Sequence, residues 1–275
     1  PTKQGARLDL ERAMAALTTA PEDSKAFARW IDPIAPDFAD RRRYSFSRLA
    51  GTLDRVHESS TATESEGSSA TDSRGLGSLV HAALATVDLA RPGGLRAMVE
   101  RHAERLLLAG ATEVREALQM IEAFVASPRA REVSQARQAH AEVEFLLAWP
   151  LDGQDDSQVV LGGFIDRLYQ DRQGAWHVLD FKTNRTDAAT LTASAAPYEL
   201  QMLVYGLATE QIMGQAPASL KLHFLRTGDE YAFAWDADAR RRTIELVNQA
   251  IADDVARSRQ RWLAADTYRA RQGVL

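Results

Sequence analysis

Cysteine is absent from all 275 residues. That excludes disulfides, thiolate zinc sites, a cysteine nucleophile and a cysteine-ligated iron–sulfur cluster, so a bound metal must rest on oxygen and imidazole. The chain also lacks any apolar run near the roughly 20 residues that span a bilayer. Its opening residues, PTKQGARLDLERAM, have no apolar centre of the kind a signal peptide needs. The expected compartment is the cytoplasm, and a membrane is not an expected partner. Positive charge is short too: 33 Lys and Arg against 38 Asp and Glu leave a formal net charge of −5. This argues against a protein that coats nucleic acid through overall basicity, but not against a local basic groove. The cluster RRRYSFSR, residues 41–48, is one candidate for such a groove, and reads equally as a solvated basic turn.

What is present suits a globular chain of one large domain or two small ones: 45% of residues are hydrophobic and 26% charged. Helical apolar spacing runs over residues 7–17 and 23–30 and is broken by Pro33 and Pro36. Residues 58–75 are rich in Ser, Thr, Glu and Gly, have no apolar residue larger than Ala until Gly75, and are expected to form a flexible loop. Helices are predicted over 76–89, 94–107, 112–125 and 127–139. From Glu142 the period changes to strands in EVEFLLAWPL, VVLGGFIDRLYQD and WHVLDFKT. A helix over 198–213, two strands at 220–225 and 231–235, and an amphipathic helix over 239–263 complete an α+β or mixed α/β pattern with a small central sheet. The expected organisation is an N-terminal helical region over 1–57, the loop over 58–75 and a main domain over 76–275.

The second and third strand runs are joined by Asp171-Arg172-Gln173-Gly174, a short turn. With the turn centred near Gln173, residues whose numbers sum to about 346 face one another, so Asp166 falls opposite Asp180. Alternation places Asp180 and Lys182 on one face and Phe181 on the other. A surface ion pair is the usual meaning of Asp-x-Lys on a strand. Here it would leave the second carboxylate without a partner among apolar neighbours, where an unpaired charge is costly. A divalent, oxygen-seeking cation accounts for both carboxylates, and a lysine beside it can orient water or offset charge on a phosphoryl oxygen.

Gly163-x-x-Asp166, a hairpin and Asp180-Phe181-Lys182-Thr183-Asn184 resemble the core of the PD-(D/E)xK nucleases in its RecB-like form, the nuclease domain fused to UvrD-type helicases. Two flanking motifs extend the resemblance. RGLGSLVHAAL, residues 74–84, is similar to the family's upstream Gly-small-x-x-His helix, and Gln201-x-x-x-Tyr205 is similar to its downstream Gln-x-x-x-Tyr motif. Ile165 stands before Asp166 where the family name has proline, as is normal in the RecB-like branch. The missing cysteines exclude the cluster-bearing subgroup. Outside this context, His81 on an apolar helix would be read as a core histidine, and Gln201 with Tyr205 as ordinary packing and surface positions. Glu142 and Glu144 read as strand-edge charges, with a place near the site as the alternative. His57, His102, His140, His177 and His223 receive no role.

The resemblance implies a metal-dependent deoxyribonuclease. His81, Asp166, Asp180 and the Phe181 carbonyl would hold Mg²⁺ or Mn²⁺, Lys182 would position the attacking water, and Gln201 and Tyr205 would contact DNA or brace the lysine. It further implies a single-stranded DNA end as substrate and an exonuclease or single-strand endonuclease activity in double-strand-break processing and recombinational repair. Among the expected partners is a second subunit. No Walker A sequence occurs, so the motor is expected elsewhere, and the start without methionine is read as a fragment cut from the C-terminal end of a longer helicase–nuclease. The competing expectation is a catalytically silent DNA-binding or subunit-bridging module. A sequence-specific endonuclease would ask for a dimer and a base-reading element, for which the sequence carries no signal.

Overall fold

The computed structural model describes residues 42–45, 69–108, 110–151 and 159–271. The helices expected at 7–17 and 23–30, and the loop up to residue 68, lie outside them. The chain divides into two compact units, Pro1–Phe38 with Val255–Leu275, and Ala39–Asp254. In the first, residues 255–271 are helical. The candidate site lies in the second.

Its elements follow the order β1 (Arg42–Ser45), α1 (Ser69–Thr86), α2 (Leu95–Arg105), α3 (Ala111–Val125), α4 (Pro128–Ser134), β2 (Gln138–Trp149), β3 (Val159–Gln170), β4 (Trp176–Lys182), α5 (Leu191–Ala195), a 3₁₀ turn (Ala196–Tyr198), α6 (Glu199–Met213), β5 (Ser219–Phe224), β6 (Asp229–Phe233) and α7 (Ala237–Arg271). This is a mixed α/β fold around a six-stranded mixed sheet. No helix among the described residues is long and apolar enough to cross a membrane.

Four local expectations change. Residues 69–75 open α1 instead of closing a loop, because their apolar continuation, from Leu76 to Val87, buries against the sheet and carries the helix backwards through weak helix formers. The helix expected to reach residue 139 stops at Ser134, and β2 already begins at Gln138, where Arg137 N–H donates to Gln170 O and opens the ladder with β3. Residues 42–45 of the basic cluster form a parallel strand, not a turn. The last helix continues to Arg271.

The hairpin pairing is as the turn dictates. Arg167↔Leu179, Leu168↔Val178, Tyr169↔His177 and Gln170↔Trp176 all keep the expected register. Gly174 takes φ 93°, and the Asp171 carboxylate accepts from Ala175 N–H at 2.8 Å to close the turn. β3 is longer than this pairing uses. Along one edge it pairs with β2 from Gln138↔Gln170 to Trp149↔Val159. The other edge is shared: β4 takes residues 167–170 and β1 takes residues 159–162. Residues 163–166 therefore flank a fork where β4 departs from β3.

Each face of the sheet carries its own core. Trp176 and Val178 of β4 join Ile165, Leu168, Leu222 and Phe224 beneath α6 and the first part of α7. Leu179 and Phe181 face the opposite way, against Leu79, Val80, Leu84, Ile121 and Phe124 of α1 and α3. Alternation thus places Asp180 and Lys182 on the α6 side while α1 closes the other.

Candidate active site

Asp166 sits at the fork. Its Oδ2 accepts from Phe181 N–H at 2.8 Å, so a side chain replaces the ladder partner that β3 would otherwise supply. In an extended strand a residue's N–H and C=O project to the same side, and the Phe181 carbonyl therefore faces the fork as well. The other oxygen of Asp166 meets His81 Nδ1 of α1 at 3.2 Å. The β2–β3 ladder skips Glu142 and Asp166, between Ala141↔Arg167 and Val143↔Ile165, and there the Glu142 backbone takes φ 49°. A non-glycine residue in that region is strained, and such strain gathers where a side chain must be aimed. His81, Glu142 and Asp166 bring one ligand atom each to within 4.8 Å of one another.

Asp180 faces α6 and is 1% exposed. Its Oδ1 accepts from Gln201 Nε2 at 3.2 Å. Its Oδ2 lies 2.8 Å from Lys182 Nζ in a buried ion pair. Lys182 Nζ donates to Gln201 Oε1 at 3.0 Å and rests 4.0 Å from the centre of the Tyr198 ring. Gln201 completes the set by donating to Tyr205 Oη at 2.6 Å. One amide therefore ties the lysine, the aspartate and the tyrosine together.

The glycine of Gly163-x-x-Asp166 has a packing reason. A Cβ at Gly163 would stand 2.8 Å from the Phe145 ring, and that ring packs edge-on against Tyr205 with centroids 5.8 Å apart. Glycine admits Phe145, and Phe145 supports Tyr205 beneath Gln201.

The electrostatics show a site short of positive charge. Burial, then Asp166, pushes the Asp180 carboxyl up to about 6, against the pull of Lys182. Burial and Asp166 likewise raise Glu142. Burial lowers His81, but the hydrogen bond to Asp166 and the charges of Asp166 and Asp180 outweigh it and leave its pKa raised. Burial works against the Lys182 ammonium too, and Asp180 with Asp166 more than restores it. Tyr205 is driven well above its ordinary value by burial and the same two aspartates. Three carboxylates thus face the Lys182 ammonium and the buried Arg167 guanidinium, which acts on Asp166 and Glu142 while donating to Leu84 O at 2.6 Å. A hard divalent cation would supply further positive charge, and the His81, Glu142 and Asp166 group, with Asp180 beside it, is a donor set that fits one.

All the side chains singled out in the sequence motifs, His81, Asp166, Asp180, Lys182, Gln201 and Tyr205, converge on this fork. Glu142, read as a strand edge, is the addition. Its signal is positional: residues 142 and 166 fall in the same gap of the β2–β3 register, and that register needs a long-range pairing that no single run displays.

Among known proteins, the chain is 35% identical over 97 residues to one of the subunits of the ATP-dependent helicase/nuclease of Lysinibacillus sphaericus (strain C3-41), a match covering 33% of this chain and 8% of that relative. The chain thus corresponds to a small part of that protein's length. The solved structure of SSO0001 aligns over 75% of this chain and 84% of its own, with 16% identity and a TM-score of 0.32, too distant to bear on the site. The family model described as the PD-(D/E)XK nuclease superfamily matches residues 41–273, which takes in β1, the fork and both helical layers. With most of its length so matched, the chain belongs to the PD-(D/E)XK nuclease superfamily.

Proposed function

We propose that this protein is a Mg²⁺- or Mn²⁺-dependent deoxyribonuclease acting on single-stranded DNA ends, the nuclease part of a helicase–nuclease that works in double-strand-break processing and recombinational repair. The observation that carries the reading is the fork itself, where the Glu142 and Asp166 carboxylates and the His81 imidazole converge, with Asp180 on the adjoining strand beside a lysine that a neighbouring amide holds. His81, Asp166, Asp180 and the Phe181 carbonyl, joined by Glu142, would hold the metal. When bound, the ion supplies Lewis acidity and a water of lowered pKa.

The protein's own groups account for the rest of the chemistry. Lys182, held by Gln201 and by the Tyr198 ring, directs its ammonium to the mouth of the fork, where it orients the attacking water and offsets charge developing on the scissile phosphate. Tyr205 and Gln201 act as positioning residues through Lys182 and Asp180. The helicase partnership is supported by the similarity to part of a helicase/nuclease, and the motor would be a helicase domain of the same longer polypeptide.

The test is a titration of metal-stripped protein with Mn²⁺ or Mg²⁺ in the presence of end-labelled single-stranded DNA. Metal-dependent cleavage that disappears in Asp180→Ala is expected, with products shortening from an end. Discrete internal products would point to a site-specific cutter, and an absence of cleavage at any metal concentration to a silent binding module.

A further inference from the structure

Beyond Lys182 the chain leaves β4 and borders a cavity of about 290 Å³ lined by Leu76, Thr183, Asn184, Arg185 and Arg226. Two of the five lining residues are cationic and none is acidic. Arg226 is committed to structure: Nε donates to Thr183 O at 2.7 Å and Nη2 to Glu116 at 2.9 Å. This clamps the turn that follows the lysine. Arg185 is different, being exposed and without an ion pair or hydrogen bond among the described residues.

The cavity has a defined place relative to the fork. A Cβ at Gly77 would stand 3.6 Å from Thr183 Oγ1, so Gly77 on α1 marks the cavity as His81 on the same helix marks the metal-facing cluster. Four residues separate them, one turn, or about 6 Å along the helix axis.

Charge points the same way. The fork is dominated by carboxylates and the chain is net negative, so a polyanionic strand needs cations beside the fork to approach it. Lys182 is already paired with Asp180, and Arg185 follows it by three residues.

We propose that this cavity is the subsite for the backbone phosphate adjacent to the one being cut, with Arg185 as its charged contact, the Thr183 hydroxyl and Asn184 amide as neutral donors, and Arg226 as the positioning residue that shapes the turn. The proposal rests on the nuclease reading of the fork and adds the path of the strand past it. Guanidinium and hydroxyl contacts to phosphate hold the strand in register without reading its bases.

The experiment measures binding of a labelled single-stranded oligonucleotide by the full chain in EDTA, so that no strand is cut, between 50 and 200 mM salt. Removing one phosphate contact should lower the slope of log K against log salt by about 0.7 and weaken binding about five-fold near 0.1 M salt. Arg185→Ala is expected to show this, Arg185→Lys to recover most of the slope, and Thr183→Val to weaken binding with the slope intact. An Arg185→Ala slope equal to that of the wild type overturns the subsite. Wild-type cleavage in Mn²⁺ is assayed alongside: if the wild type cuts and the slope does not change, the subsite alone fails, whereas if the wild type does not cut, the nuclease reading fails with it.

Discussion

Lys182 Nζ lies 3.0 Å from Gln201 Oε1, and Gln201 is at once a donor to Asp180 and to Tyr205. The ammonium is therefore aimed by a helix on one face of the sheet as well as by its own strand. Gln201→Ala should release it. Because misplacement of a catalytic group by about 1 Å can cost about 100-fold, single-turnover cleavage is expected to fall by roughly 10- to 100-fold. Mn²⁺ affinity, measured calorimetrically, should fall far less than cleavage, since Gln201 offers the metal no ligand and holds only one oxygen of Asp180. A parallel loss of metal affinity would contradict the bracing role.

Gly163→Ala drives a Cβ into the Phe145 ring at 2.8 Å. Overpacking of this kind costs about 1 to 3 kcal/mol, read from urea midpoints. The displaced ring supports Tyr205, so activity should fall further than at Gly206→Ala, where the Cβ would meet the Trp235 ring at 2.7 Å, away from Gln201. Equal loss of activity in both variants would break the link from Gly163 to the lysine.

Glu142 bears a strained backbone, at φ 49°, beside His81 and Asp166. Glu142→Gly removes the carboxylate and supplies the residue suited to that conformation. Its melting temperature should match or exceed that of the wild type while Mn²⁺ affinity falls at least about ten-fold, the trade expected where strain serves a site. His81→Ala should also weaken Mn²⁺ binding, with activity partly recovered at high Mn²⁺. A stable Glu142→Gly with unchanged metal affinity would return Glu142 to a strand-edge charge.

These variants also show what the sequence could and could not reveal. The Asp166–Asp180 relation follows from a short turn and strand alternation, both local, and the observed register agrees with it. Gln201 and Tyr205 share a helix face by spacing alone, but which groups they meet depends on α6 docking over the sheet. Glu142 was legible only as one of two candidates and as the less favoured reading, because Asp166 lies 24 positions away, through a connection whose length says little about register. The start of α1 was hidden because Ser, Thr and Gly composition favours a loop, and only burial of the helix that follows reverses that preference. The sharing of one β3 edge by β1 and β4, which opens the fork, has no trace in any single run of residues.

Away from the fork, Arg129 donates to both oxygens of Glu230 at 2.7 and 2.6 Å, and also engages Glu132 and Tyr169. His223 lies 3.1 Å from the same Glu230 oxygen that Arg129 Nε engages. Burial raises the Glu230 pKa, but the bonds from Arg129 and His223 outweigh it and hold the carboxyl far below its ordinary range. A depressed folded pKa gives stability that is present above the unfolded value, about 4.5, and is lost as pH falls from there toward the folded value. Melting temperature should therefore drop progressively below about pH 4.5, and Glu230→Gln should flatten that acid limb. Arg129→Ala, which leaves the half-buried Glu230 to His223 and Lys221, should cost about 1.5 to 3 kcal/mol at neutral pH. An acid limb unaltered by Glu230→Gln would show that other carboxylates govern it.

The most direct test of the central claim, that the β3–β4 fork is a nuclease active site, is single-turnover cleavage of labelled single-stranded DNA by Lys182→Ala, with Mn²⁺ affinity measured on the same preparation. In the proposed mechanism the lysine acts on the water and the transition state and not on the ground state. Cleavage should fall by at least about 1,000-fold while Mn²⁺ and DNA still bind. Turnover close to that of the wild type, with the metal bound, would contradict the account.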